Sequence, residues 1–147
     1  DFFFFFLPLY RKHPEYFYDW CQITSIYGSP EDCLWGGGRT GTGTSDSKDV
    51  FALMNEYKIS PRLTFSNSLL QEIHLTDKKC NLLCNLFKKS EIPAGIIVHS
   101  DLLLDYLKKN YSNFYFIHAK ISFISLLKHY NLYFYLFTYK YSIATSP

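Results

Sequence analysis

The sequence predicts an α/β fold in which strands and helices alternate as β-α-β-α-β-α-β over residues 21–118. Three observations support this prediction: short β-rich or apolar runs alternate with segments of helical periodicity, capping residues precede the helical segments, and the helices are long enough to cross between parallel strands. A chain of 147 residues, 48% of them hydrophobic, can form one domain with a buried core.

The first strand and the first helix flank a glycine-rich loop. Gln22–Tyr27 is a β-rich run, and residues of turn type continue from Gly28 to Ser45. A helix is predicted from about Asp46, because Ser45, Asp46 or Ser47 can cap it. Its apolar face is formed by Val50, Phe51, Leu53, Met54 and Tyr57.

The same pattern then repeats. Thr76 can cap a second helix and Ser100 a third. Their apolar faces consist of Cys80, Leu83, Cys84 and Phe87, and of Leu103, Leu104, Leu107 and Tyr111. The remaining strands are predicted at Arg62–Ser66, Gly95–Val98 and Phe114–Ile117. Two architectures fit this order, an open doubly wound sheet and about half of a TIM-like barrel.

The two ends of the chain differ from this rhythm. Residues 1–20 are aromatic and turn-rich, and because Pro8 and Pro14 break helices we expect an N-terminal cover segment there.

Residues 119–147 form an atypical apolar and basic tail, irregular or helical, in which eight of 29 residues are Phe or Tyr. Three interpretations of the tail stay open. It is a native segment, the product of a frameshift or truncation in an AT-rich gene, or a membrane span over Ile121–Tyr139. The central Lys128 argues against the span.

Charge and cysteine content restrict the partners and the compartment. Residues 1–105 hold 13 acidic and 10 basic residues, a net charge of −3, whereas residues 106–147 hold five Lys and no acid. These lysines are dispersed and lack accompanying Arg, which argues against nucleic-acid binding. Four cysteines in a core-rich chain, with no convincing signal peptide, favour reduced thiols in the cytoplasm.

The glycine-rich loop is the first candidate for chemistry. Gly36–Gly41 matches the dinucleotide pattern G-x-G-x-x-G, and Glu56 lies 20 residues beyond Gly36. However, eight residues separate Tyr27 from Gly36, and Glu56 falls inside a helix. We therefore predict a flexible loop whose backbone N–H groups and Arg39 hold a small anion. No particular cofactor is indicated.

Cysteines and histidines give weaker signals. Cys80 and Cys84 stand four residues apart on one apolar helix face, which favours core packing, and no metal site is predicted.

His99 and His118 fall where the third and fourth strands end. In parallel α/β folds ligands bind beyond the carboxyl ends of strands, so His99 is a weak candidate for acid–base catalysis.

Several segments occur together in an order that resembles one known family. They are Pro8–Tyr10, His13–Tyr18, Tyr27–Ser29, Cys33–Arg39, Leu63–Leu70, Ile97–Ser100 and Leu104–Phe114. The order resembles an uncharacterised bacterial family of anaerobic gut Firmicutes, distantly similar to peptidase U32. The resemblance implies the N-terminal half of a TIM-barrel-like chain, and hence a truncated member, because family members continue with further strand–helix units.

Together these observations predict a site at the carboxyl ends of the strands. We expect Tyr27, Trp35, Arg39 and Asn67 to bind the ligand: Arg39 holds an anion, Asn67 and His99 hydrogen-bond the substrate, and Trp35 walls the pocket. The alternatives are a non-functional fragment, a fragment that self-associates through its open sheet edge, and a domain tethered to a membrane by the tail. The sequence leaves open whether the protein is an enzyme.

Overall fold

A computed structural model describes residues 2–30, 32–37 and 46–119. Arg39 and the tail beyond Ala119, including the membrane span considered above, lie outside these residues. Within the described residues, four helices alternate with four strands in the order α1 Phe2–Lys12, β1 Ser25–Gly28, α2 Ser47–Glu56, β2 Ser60–Phe65, α3 Lys78–Phe87, β3 Gly95–Val98, α4 Asp101–Asn110 and β4 Tyr115–His118. Short 3₁₀ turns occupy Pro14–Tyr16, Leu34–Gly36 and Glu72–Thr76.

The four strands form one parallel sheet in the order β1-β2-β3-β4. The predicted α/β fold with four parallel strands is therefore confirmed. A doubly wound sheet reverses its strand order at a switch point, whereas strand order here simply follows the chain. Successive neighbouring strands are the arrangement of a TIM barrel, which has eight, so the described sheet corresponds to half of one.

The core lies between one face of the sheet and the helices. Leu63 and Phe65 of β2 and Ile96 and Val98 of β3 are at most 4% exposed, and they form one cluster with the apolar faces of the helices. Burying each such side chain contributes about 1.5–3 kcal/mol relative to leaving it exposed. The predicted core positions of α3 are confirmed, because Cys80, Leu83, Cys84 and Phe87 are all buried.

Side-chain caps fix where three helices begin. Asp46 accepts a hydrogen bond from the backbone N–H of Lys48, and Ser100 accepts one from that of Leu103, so both predicted caps are confirmed. The prediction that Thr76 caps the second helix is wrong by one residue. Asp77 is the cap, because a carboxylate is a stronger acceptor for the N–H of Cys80, at 2.8 Å, than a hydroxyl.

The expectation that Pro8 breaks any helix in the N-terminal segment is wrong, because α1 runs through it. An internal proline costs a helix roughly 3 kcal/mol, so other contacts must offset it. Leu7 is fully buried, and the rings of Phe2 and Phe6 stack at 5.1 Å, as do those of Phe6 and Tyr10 at 6.3 Å. The burial of Leu7 and the stacking of these rings along one helix face both contribute to the offset.

The predicted bounds of β3, Gly95–Val98, are confirmed, whereas the bounds of the other three strands differ from the predictions by one to three residues. The first strand begins at Ser25 rather than Gln22, and β2 begins at Ser60, so that Pro61 lies in the sheet opposite Ile26. Within the described ranges, no helix is long and apolar enough to cross a membrane. The divisions at residues 20 and 118 and the nature of the tail stay predictions.

Candidate functional site

Parallel pairing brings the carboxyl ends of all four strands to one edge of the sheet. Gly28 of β1 pairs with Leu63, and Val98 pairs with Phe65 on one side and His118 on the other. We call this edge the carboxyl rim, meaning the last residue of each strand and the residues that follow it. The loops that carry the predicted site therefore begin at a common edge, as the sequence analysis requires.

Tyr27 stands next to the rim on the face of the sheet opposite the helices. Its neighbour Ile26 is buried, whereas Tyr27 is 67% exposed, as the alternation of side chains along a strand requires. Its register partner is Arg62. Tyr27 is thus accessible to a ligand from solvent.

Trp35 is fully buried and anchors the segment that follows β1. Its indole N–H donates to the carbonyl oxygen of His74 at 2.8 Å. Its ring packs edge-on against Phe65 and Tyr106, with centroids 5.3 and 5.9 Å away. The ring lies in the core beside the rim, so any contribution to a pocket wall requires movement of this segment.

Asn67 ties the loop after β2 to the segment after β1. Its side-chain amide donates to the Leu34 carbonyl at 3.0 Å, and its backbone N–H donates to the Trp35 carbonyl at 3.0 Å. The Ser66 hydroxyl adds a bond to the Gly36 carbonyl at 2.9 Å. Three hydrogen bonds therefore hold the two loops together, and within the described ranges the second hydrogen of the Asn67 amide has no partner.

His99 and His118 lie on neighbouring strand ends. The backbone N–H of His99 donates to the Phe65 carbonyl at 3.1 Å, which continues the sheet past β3. The imidazole Nε2 of His118 lies 3.2 Å from a carboxylate oxygen of Asp101, the first residue of α4. A carboxylate that orients an imidazole is an arrangement suited to proton transfer.

Two features of the site were missed in the sequence analysis. The pairing of Asp101 with His118 could have been found, because parallel neighbours bring the start of α4 beside the end of β4. Thr64, one position before the end of β2, is 8% exposed, and its hydroxyl has no hydrogen-bond partner within the described ranges. A buried hydroxyl without a partner is costly, and no sequence pattern signals it.

Gly36 and Gly37 are explained without a ligand, Gly36 by a close side-chain neighbour and Gly37 by its backbone conformation. A side chain at Gly36 would meet the Ser29 hydroxyl oxygen at 2.5 Å. Gly37 has φ +82°, a left-handed conformation that glycine adopts without strain, and it ends the 3₁₀ turn. Neither glycine requires a dinucleotide to account for it, and the anion-binding role of Arg39 stays a prediction.

Comparison with protein-family models, with curated proteins and with solved structures finds no match for this chain. The resemblance to the Firmicutes family therefore stays a prediction. The described residues hold no group of three or more His, Cys, Asp or Glu side chains that could bind a metal ion.

Proposed function

We propose that the carboxyl rim binds a small anionic molecule, and that the chain is the ligand-binding part of a TIM-barrel-like protein. The observation that carries this proposal is the sequential order of four parallel strands, which brings the loops after β1, β2 and β3 to one edge. In TIM barrels, ligands bind at this edge. The resemblance to the Firmicutes family supports the same proposal.

The residues at the rim supply donors of the kind that an anion needs. As predicted from the sequence, Arg39 would contribute its guanidinium group, and one hydrogen of the Asn67 amide has no partner among the described residues. His118 contributes a cation when protonated, and Asp101 holds its ring in place. Exposed Tyr27 offers a phenol and an aromatic wall. Acid–base catalysis by His99 or His118 would need a substrate at this edge, and no reaction is assigned.

Isothermal titration of the full chain with inorganic phosphate and small carboxylates tests the proposal. We expect Arg39→Ala to weaken binding roughly 10- to 100-fold, since a hydrogen bond to a charged group contributes about 1.5–3 kcal/mol. Arg11→Ala is the matched control, because Arg11 is 56% exposed and pairs with Glu56. Equal affinity in the wild type and Arg39→Ala would refute the assignment of Arg39. Failure of every anion to bind would refute the proposal itself.

A second candidate function is self-association through the open sheet edges. Within the described ranges, β1 pairs only with β2 and β4 pairs only with β3, so each has one side with unpaired backbone groups. Such edges favour pairing with another chain. Sedimentation velocity at increasing protein concentration tests this candidate, and a monomer at all concentrations would exclude it.

A cytoplasmic location is also part of the proposal. All four cysteines are free thiols, which is usual for proteins of a reducing compartment. Fractionation of the source cells tests it, with recovery in the membrane fraction as the contrary result.

A further inference from the structure

Cys33 and Cys80 bring two thiols into contact from distant parts of the chain. Their sulfur atoms lie 3.4 Å apart, although 47 positions separate the residues. Cys33 directly precedes the 3₁₀ turn after β1, and Cys80 lies in the first turn of α3. Both side chains are buried, at 2% and 1% exposure.

The two thiols are not chemically equivalent. The hydrogen bond between them lowers the pKa of Cys33 and raises that of Cys80. Burial opposes the effect at Cys33, and the nearby backbone N–H groups of Gly36 and Trp35 reinforce it. Cys33 is therefore the better nucleophile, while Cys80 retains its proton.

We propose that Cys33 and Cys80 are a reversible redox site that forms a disulfide when the protein meets a small peroxide. The sulfur atoms need to approach by roughly 1.3 Å to reach the length of an S–S bond. Neither cysteine is among the proposed anion ligands, and the redox reaction does not depend on anion binding.

The reaction with hydrogen peroxide balances in two steps. The Cys33 thiolate attacks one peroxide oxygen, the O–O bond breaks, and hydroxide leaves as Cys33 becomes a sulfenic acid. The Cys80 sulfur then attacks the Cys33 sulfur, the S–O bond breaks, and the second hydroxide leaves. The thiol protons convert both hydroxides to water, and two electrons from the thiols have reduced the peroxide. A dithiol reverses the outcome by exchange.

The bridge would join the segment after β1 to the start of α3. Trp35 and Asn67 already hold that segment in place through hydrogen bonds. A covalent link would limit its opening, and with it the movement that Trp35 needs to reach a ligand. Because both thiols are buried, the rate of oxidation should follow the rate at which this segment opens.

Treatment of the full chain with hydrogen peroxide, followed by intact-mass analysis and peptide mapping without reduction, tests the proposal. We expect the loss of two hydrogen atoms, a fall from four titratable thiols to two, and a cross-linked peptide pair containing Cys33 and Cys80. Dithiothreitol should restore the original mass. C33S and C80S should each abolish the bridge, whereas the matched variants C21S and C84S should retain it.

Peptide mapping of the oxidised wild-type protein does not require a folded variant. The test therefore stays valid if a substitution of a buried cysteine impairs folding. A cross-link between Cys80 and Cys84, or one involving Cys21, would overturn the proposal. So would a wild-type protein that retains four thiols, or one that gains oxygen at Cys33 without forming a bridge.

Discussion

Gly95 permits a contact that links three strands on the open face of the sheet. Gly95 and Tyr115 are register partners, and the Tyr115 ring lies directly over Gly95. The phenol oxygen accepts a hydrogen bond from Nε of Arg62 at 2.6 Å and lies 3.0 Å from the Ser60 hydroxyl. Since Ser60 donates its own hydrogen to the Pro93 carbonyl, Tyr115 must donate to Ser60.

Gly95→Ala should displace this ring and break both hydrogen bonds. The added methyl carbon would lie 2.4 Å from two ring carbons of Tyr115. Two hydrogen bonds contribute about 1 kcal/mol each, and overpacking costs about 1–3 kcal/mol more. Alanine recovers about 0.4–1 kcal/mol by restricting the unfolded chain. The net loss in the free energy of unfolding is therefore about 2–4 kcal/mol.

Urea denaturation followed by circular dichroism measures this loss. With a slope of about 2 kcal/mol per molar urea, the midpoint should fall by about 1–2 M. Gly28→Ala is the matched control, because a methyl carbon there meets nothing within 4 Å. It should leave the midpoint unchanged or slightly raised.

A double-mutant cycle identifies the cause of the loss. When Tyr115 is replaced by Ala, the added methyl at Gly95 has no ring to displace, and its cost should largely disappear. An equal cost of Gly95→Ala in the presence and absence of the Tyr115 ring would refute the reasoning, because the ring would then not lie over Gly95.

Three further predictions concern single side chains, all measured by urea denaturation. Ser100→Ala should cost about 1 kcal/mol, because it removes the cap of α4; no change would mean that another group caps this helix. Trp35→Phe should cost about 1–3 kcal/mol, since it removes the indole donor from the His74 carbonyl, which keeps only the bond from the backbone N–H of Asp77 at 3.3 Å; a smaller loss would indicate that water replaces the indole. Burial raises the pKa of Tyr111 from 10 to about 12. The unfolded chain therefore loses this proton first, and the free energy of unfolding should fall as the pH rises from 10 to 12. Tyr111→Phe should reduce that fall, and an identical pH dependence in the variant would contradict the assignment.

Local patterns in the sequence predict most of the fold. Helical periodicity identifies α2, α3 and α4, and Asp46 and Ser100 mark where two of them begin. Alternation of strands and helices predicts the parallel sheet. Each of these features depends on residues close together in the chain, which is why the sequence discloses them.

Features that depend on contacts between distant residues escape prediction. The approach of Cys33 to Cys80 depends on how the segment after β1 packs against α3, and no spacing in the sequence encodes it. Helix α1 escapes because its Pro8 is tolerated only through packing that the sequence does not show.

The geometry of the rim decides how binding data on the predicted site must be interpreted. Trp35 and Asn67 both hold loops in place through hydrogen bonds, so substitutions there alter loop position and ligand contact together. Tyr27 is exposed, and within the described part of the chain its side chain makes no hydrogen bond that holds a loop in place. Tyr27→Ala should therefore change only the contact with the ligand. A loss of affinity in Tyr27→Ala without a loss of stability would place the ligand on the open face of the sheet. A loss confined to Trp35 and Asn67 variants that are also less stable would show only that the loops must be ordered for binding.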